Sequence, residues 1–158
     1  MKIIIAAIGA LALLPVAAAT EVAVSYSDDF AEELTENYGE REGERLRQDI
    51  TKDLDQAFEK AGVTAARVEI VIVDAKPNRP TFEQLSGKPG LDPIRSISIG
   101  GMELSGTAFD AEGNVLAAQD YEWFQNNIRD VVGFSTWGDA NRASRRFARK
   151  MADQLSDS

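Results

Sequence analysis

The apolar period changes from helical to extended across one glycine, and that switch constrains the fold more than any other feature. Leu46, Ile50, Leu54, Ala57 and Phe58 fall within one arc of a helix, and the pattern stops at Gly62. Residues 67–73 then read Arg-Val-Glu-Ile-Val-Ile-Val, a β-branched run. A helix must bury its apolar stripe, and β-branched side chains pack best on a pleated surface, so each element supplies the face the other needs. Gly62 provides the left-handed residue at which helices stop. A chain organised on this unit is a helix-on-sheet protein.

The same reading extends to both ends. Val22, Val24 and Tyr26 alternate with Glu21, Ser25 and Ser27, the period of a half-buried strand. Asp28 and Asp29 offer a cap and first-turn charge for a helix carrying Phe30, Leu34 and Tyr38. Gly39 and Gly43 predict a kink or break, with another backbone approaching closely. Residues 67–73 are expected to form a central strand covered on both faces. Residues 94–109 read as a second β stretch, with Ile97 and Ile99 inward, then Met102 and Leu104, and a bulge at Gly100 and Gly101 to shift the parity. Residues 110–114 form a turn and residues 115–124 the returning strand. Thr136 and Asp139 carry the spacing of a capping box for a last helix, whose buried arc holds Trp137, Ala140, Ser144, Phe147, Ala148, Met151 and Leu155. The expected order is β-α-β-β-β-α. It predicts an α+β two-layer sandwich, with an antiparallel sheet of about four strands and helices on one face. Ile50, Leu54, Val71, Leu104 and Phe147 are the expected core.

Residues 1–19 read as a signal peptide: Lys2, an apolar run over residues 3–16, then Ala17-Ala18-Ala19. The run is too short to span a bilayer, so no stable membrane insertion is expected after cleavage. Residues 20–158 remain as a single domain of 139 residues, with a periplasmic or secreted location. Cleavage removes one of 17 basic residues and none of the 26 acidic ones, leaving a net charge of −10. A domain so acidic is a poor partner for nucleic acid. Cys and His are both absent. That excludes disulfides, Ser-His-Asp and Cys-His catalysis, and His-held metal or haem. No cofactor or metal site is expected.

Two sets of residues are candidates for binding. Residues 75–93 contain four of the five prolines and read as a long connection without regular structure. Lys76, Asn78, Arg79, Phe82 and Lys88 give it donors and an aromatic, either to contact a ligand or to cover a sheet edge. Arg142, Arg145, Arg146, Arg149 and Lys150 form a basic face on the last helix, either docking an anionic partner or pairing with the acidic first helix. Asp110, Glu112 and Asn114 supply too few oxygen ligands for a calcium loop and suit a turn instead. Trp123, Phe124, Phe134 and Trp137 cluster around the last connection, as core or as the wall of a pocket.

Three stretches together resemble a group of uncharacterised exported proteins of Gram-negative bacteria. They are Asn37-Tyr38-Gly39-Glu40-Arg41-Glu42, Asp74-Ala75-Lys76-Pro77-Asn78-Arg79-Pro80-Thr81, and Tyr121-Glu122-Trp123-Phe124 with Thr136-Trp137-Gly138-Asp139-Ala140. The resemblance implies a periplasmic setting and brings no activity or catalytic residue with it. The expectation is a non-enzymatic domain that binds an envelope protein or small ligand. The alternatives are a hydrolase using carboxylates or a divalent cation, and a structural module assembling through its sheet edge.

Overall fold

Residues 19–131 and 135–157 are described in the computed structural model of the chain. The signal segment up to residue 18 and Phe134 of the aromatic set lie outside the described residues.

The chain begins with strand β1 (Glu21–Tyr26) and helix α1 (Asp28–Glu33), followed by a π-helical turn, Leu34–Tyr38. The cap of α1 is Ser27, one residue before the expected aspartates. Its hydroxyl oxygen accepts from the Phe30 N–H at 3.2 Å and donates to the Val73 carbonyl at 2.7 Å. Asp28 and Asp29 occupy the first turn, where the helix dipole favours them. The π turn closes when the Gly39 N–H donates to the Leu34 carbonyl at 2.6 Å. Gly39 then adopts φ +93°, a conformation glycine accepts without strain. The break expected between the glycines is therefore at Gly39 alone. Helix α2 (Glu40–Ala61) runs through Gly43 without interruption. What approaches Gly43 is a side chain: a Cβ there would lie 2.7 Å from the Tyr26 hydroxyl.

Strand β2 (Arg67–Lys76) follows, then helix α3 (Phe82–Gly87), β3 (Gly101–Phe109), β4 (Val115–Phe124), a short 3-10 turn (Ile128–Asp130) and helix α4 (Gly138–Ser156). The strands are ordered β1-β2-β3-β4, with β2-β3 and β3-β4 antiparallel and β1-β2 parallel. The α+β class stands, and the fully antiparallel sheet is corrected to a mixed one. A parallel neighbour requires a long return path, and α2 is that crossover.

Helices α2 and α4 lie together on one sheet face. Between them and the sheet sit Leu46, Ile50, Leu54, Leu104 and Phe147, all essentially inaccessible. Val71 is only partly covered, which corrects both its place in the core and the two-faced burial of its strand. Val68, Ile70 and Ile72 take the covered face of β2. Past the register shift at Val73, Ala75 takes it instead. The bulge expected at Gly100 and Gly101 is not there: the register shifts fall at Val73 in β2 and between Ala108 and Phe109 where β3 meets β4.

Residues 94–99 are not a strand, contrary to expectation. Lys76 pairs with Gly101 as the last rung of β2-β3, so no strand continues at that height for them to join. Ile94, Ile97 and Ile99 are 74%, 49% and 39% exposed, against the inward placement predicted for the last two. The connection over residues 75–93 is also more ordered than predicted. It opens inside β2 and contains α3, whose Thr81 and Gln84 form a reciprocal capping box.

Candidate functional site

The first polar network lies where β2 ends and α4 starts. The cap expected from Thr136 is absent, and Trp137 precedes the helix without a side-chain bond. The cap comes from Asn78. Its Oδ1 accepts from the Asp139 N–H at 2.8 Å, and its Nδ2 donates to Asp139 Oδ2 at 2.6 Å and to the Ser98 carbonyl at 3.2 Å. The Asn78 N–H also donates to the Thr136 carbonyl at 2.7 Å. Asp139 Oδ1 lies 3.6 Å from the Arg142 guanidinium. Beside this network the Trp137 indole N–H donates to Glu42 Oε2 at 2.6 Å, and the Tyr38 ring meets Trp137 edge-on at 5.6 Å. The stretches around Tyr38, Asn78 and Trp137 therefore converge in space. Asn78 is 2% exposed and serves this packing, so it is corrected from a surface contact to a buried brace.

That brace supports a groove of about 610 Å³ running between residues 76–80 and the irregular segment 95–99. Lys76, Arg79, Lys88 and Arg95 line it, with Tyr38 at one end. Its apolar surface comes from Pro77, Pro80, Leu91, Ile97 and Ile99. No carboxylate is among its lining residues. Lys76 reaches outward to Asp74 at 3.7 Å and lies over the Phe124 ring. Arg79 donates to the carbonyls of Pro93 and Ile94, so it ties the two ends of the connection together. Asp92 holds the turn at the groove's far rim by accepting from the Ile94 and Arg95 N–H groups at 2.8 and 2.7 Å. Those two bonds stabilise its ionised form and lower its pKa.

Tyr38 is the other perturbed group here. Burial, then the nearby Glu33 and Asp74 charges, push its phenol up to about 12. The hydroxyl therefore stays protonated and able to donate throughout the neutral range. A set of cations and a fixed phenol around apolar walls suits a ligand that is acceptor-rich at one end and apolar at the other. Phe82 does not join it. It is 77% exposed and lines a neighbouring hollow with Gly39, Glu42 and Arg45. Tyr38 and Arg95 were missed by the sequence reading. Tyr38 read only as a spacing position of the first helix, with Phe30 and Leu34, and Arg95 was hidden by reading residues 94–99 as strand.

The basic face of α4 divides in two. Arg142 and Arg146 rest over the Trp123 ring, with centroid distances of 5.5 and 4.8 Å, and Lys150 lies 5.8 Å from the centroid of Tyr121. Arg142, Arg145, Arg146 and Arg149 also line a cleft against α2, with Asp53 and Lys60 on its other wall. Among the described residues no ion pair within 4 Å joins this basic face to the acidic helix α2. Asp53 accepts from the Ser144 hydroxyl at 2.7 Å, and its burial raises its pKa.

At the β3-β4 turn, Asp110 accepts from the backbone N–H groups of Glu112 and Asn114 at 3.0 and 2.7 Å, which accounts for the oxygen-rich sequence. Among the described residues no group of three or more acidic side chains is arranged to hold a metal ion. None of their helices is long and apolar enough to cross a membrane.

Fold and site together define a small α+β domain with a cationic, partly apolar groove at one pole. No protein-family model matches the chain, and no curated protein matches it.

Proposed function

We propose that this protein is an exported, non-enzymatic domain of the bacterial envelope that binds an anionic, partly apolar small ligand in the groove between residues 76 and 99. The observation that carries this reading is the groove's charge. Lys88 and Arg95 line one apolar hollow without a lining carboxylate, with Lys76 and Arg79 engaged in its walls, on a chain whose net charge is −9. Surface cations on an acidic protein would otherwise disperse among its many carboxylates. Clustered against apolar surface they recognise an acceptor group and leave room for a hydrocarbon or ring beside it. The rigid support fits the same reading. Asn78 and Arg79 tie the groove walls by hydrogen bonds, so little freedom remains to be lost on binding.

The export part of the proposal is supported by the N-terminal sequence, in which a charged start, a short apolar run and three alanines follow one another. A hydrolase working through carboxylates has less support, because the groove offers donors and no paired acids.

Anilinonaphthalene sulfonate, an apolar body carrying one anionic group, is a suitable probe. Its fluorescence should rise saturably with one site per chain. The double substitution Lys88→Ala/Arg95→Ala should weaken that binding about tenfold, the effect of losing one charge-assisted contact worth about 1.4 kcal/mol. Both side chains are exposed, so the unfolding midpoint should not move. Equal binding by the double variant would contradict the proposal.

A further inference from the structure

We propose a second site, independent of the groove: the cleft between α2 and α4 binds a small soluble ligand carrying two oxyanion groups, of the diphosphate class. The cleft is built from two facing stripes of the same spacing. Arg142, Arg145, Arg146 and Arg149 stand on α4, and Asp53, Gln56, Ala57 and Lys60 on α2, each set at i, i+3, i+4 and i+7. Arg145, Arg149 and Lys60 thus share the cleft with one carboxylate, and Arg142 and Arg146 stand at its edge. Among the described residues only Arg142 of the four arginines has a carboxylate within 4 Å, the Asp139 side chain at 3.6 Å. Asp53 lies against α4, engaged with the Ser144 hydroxyl.

Such a stripe has a cost for the isolated protein. Like charges three and four residues apart destabilise a helix by a few tenths of a kcal/mol per pair. Residues 20–60 include 13 acidic side chains, yet α2 turns only Asp53 toward the arginines. An anionic occupant supplies the missing counter-charge.

The geometry also sets the kind of anion. Guanidinium groups present planar forks that match phosphate and carboxylate oxygens. Two of the four, Arg142 and Arg146, are turned to the Trp123 ring on β4, so Arg145, Arg149 and Lys60 supply the charge within the cleft. Arg145 and Arg149 are about 6 Å apart along the helix axis, with Lys60 on the other wall, a spacing that two linked oxyanion groups match. The cleft is open to solvent and offers about 250 Å³ between the helices, room for a small ion. The charge lies in a trough between two helices, a shape that favours a small free ion over a flat bilayer surface.

The test is calorimetric titration of the protein with inorganic pyrophosphate at low salt. One saturable site is expected. Arg145→Ala/Arg149→Ala should weaken it at least about tenfold, as loss of charge-assisted contacts implies. Lys150→Ala, outside the cleft, should leave it unchanged. Lys88→Ala/Arg95→Ala should also leave it unchanged, so failure here and failure of the groove reading are separable. Absence of saturable binding, or equal losses from Lys150→Ala and the arginine pair, would overturn the proposal. Phosphate oxygens are also presented by lipid headgroups, so the second arm is sedimentation with vesicles of equal parts phosphatidic acid and phosphatidylcholine. The protein should remain in the supernatant. Sedimentation that the arginine pair abolishes would overturn the soluble source.

Discussion

Asn78 and Asp139 lie 61 residues apart in sequence and bond to each other twice, once through the Asn78 carbonyl oxygen and once through its amide nitrogen. The first bond satisfies a free N–H at the start of α4, and the second holds a fully buried carboxylate beside the positive end of the helix dipole. The same carboxamide braces Ser98 on the groove wall. One side chain therefore joins the last helix, the end of β2 and the candidate site.

Asn78→Ala should destabilise the fold by about 1–3 kcal/mol, because it leaves buried groups on Asp139 without partners. Asn78→Asp should cost more at neutral pH, since it sets a second carboxylate against the first in a dry site. Repulsion and burial would raise the pKa of the introduced group in the folded state. The folded protein would then bind the extra proton, so the deficit should shrink as pH falls. Denaturant unfolding of both variants across the acid range checks this. Equal stability of the two variants at neutral pH would contradict the pairing.

Gly106 and Phe147 test the packing of α4 on the sheet. A Cβ on Gly106 would lie 2.6 Å from the Phe147 ring and 3.1 Å from Met151. Gly106→Ala should therefore cost about 1–3 kcal/mol by overpacking. Phe147→Ala should cost about 3–5 kcal/mol by leaving a cavity. The combined variant should lose less than the sum, because removing the ring makes room for the new methyl group. A double-mutant cycle from chemical unfolding measures the coupling. Strict additivity would mean that the two residues do not meet.

Tyr38 gives a prediction at alkaline pH. Its folded-state pKa, about 12, stands above the ordinary 10.0, so the folded chain holds this proton more tightly than the unfolded one. The resulting stability is complete below pH 10.0 and is lost as pH rises through about 12. Tyr38→Phe should flatten the fall in stability across that window. It should also remove the phenolate step near pH 12 from an absorbance titration. A titration curve unchanged by the substitution would place the perturbed phenol elsewhere.

Much of the fold was legible because periodicity reports which face of an element is buried. The helical arc from Leu46 to Phe58, the alternation at Val22 to Tyr26, and the arc around Phe147 each identified the side that packs. Periodicity does not report the partner on the other side of a strand. Val71 was misplaced for that reason, since β-branched residues in a row read alike whether one or both faces are covered. Ile97 and Ile99 alternate like strand residues, but β2 ends at Lys76 and leaves them without a partner. The site was only half legible. Lys76, Arg79 and Lys88 follow from the proline-rich composition of their segment, whereas Tyr38 and Arg95 reach the groove through chain folding that no local pattern encodes.

The most direct test of the account is an NMR titration of the isotopically labelled protein with anilinonaphthalene sulfonate, following each backbone amide. Saturable shift changes are expected at Lys88, Leu91, Arg95, Ile97 and Ile99, with the amides of Arg145 and Arg149 unmoved. Changes centred on α4, or small shifts scattered over the surface without saturation, would contradict the assignment of the groove as the binding site.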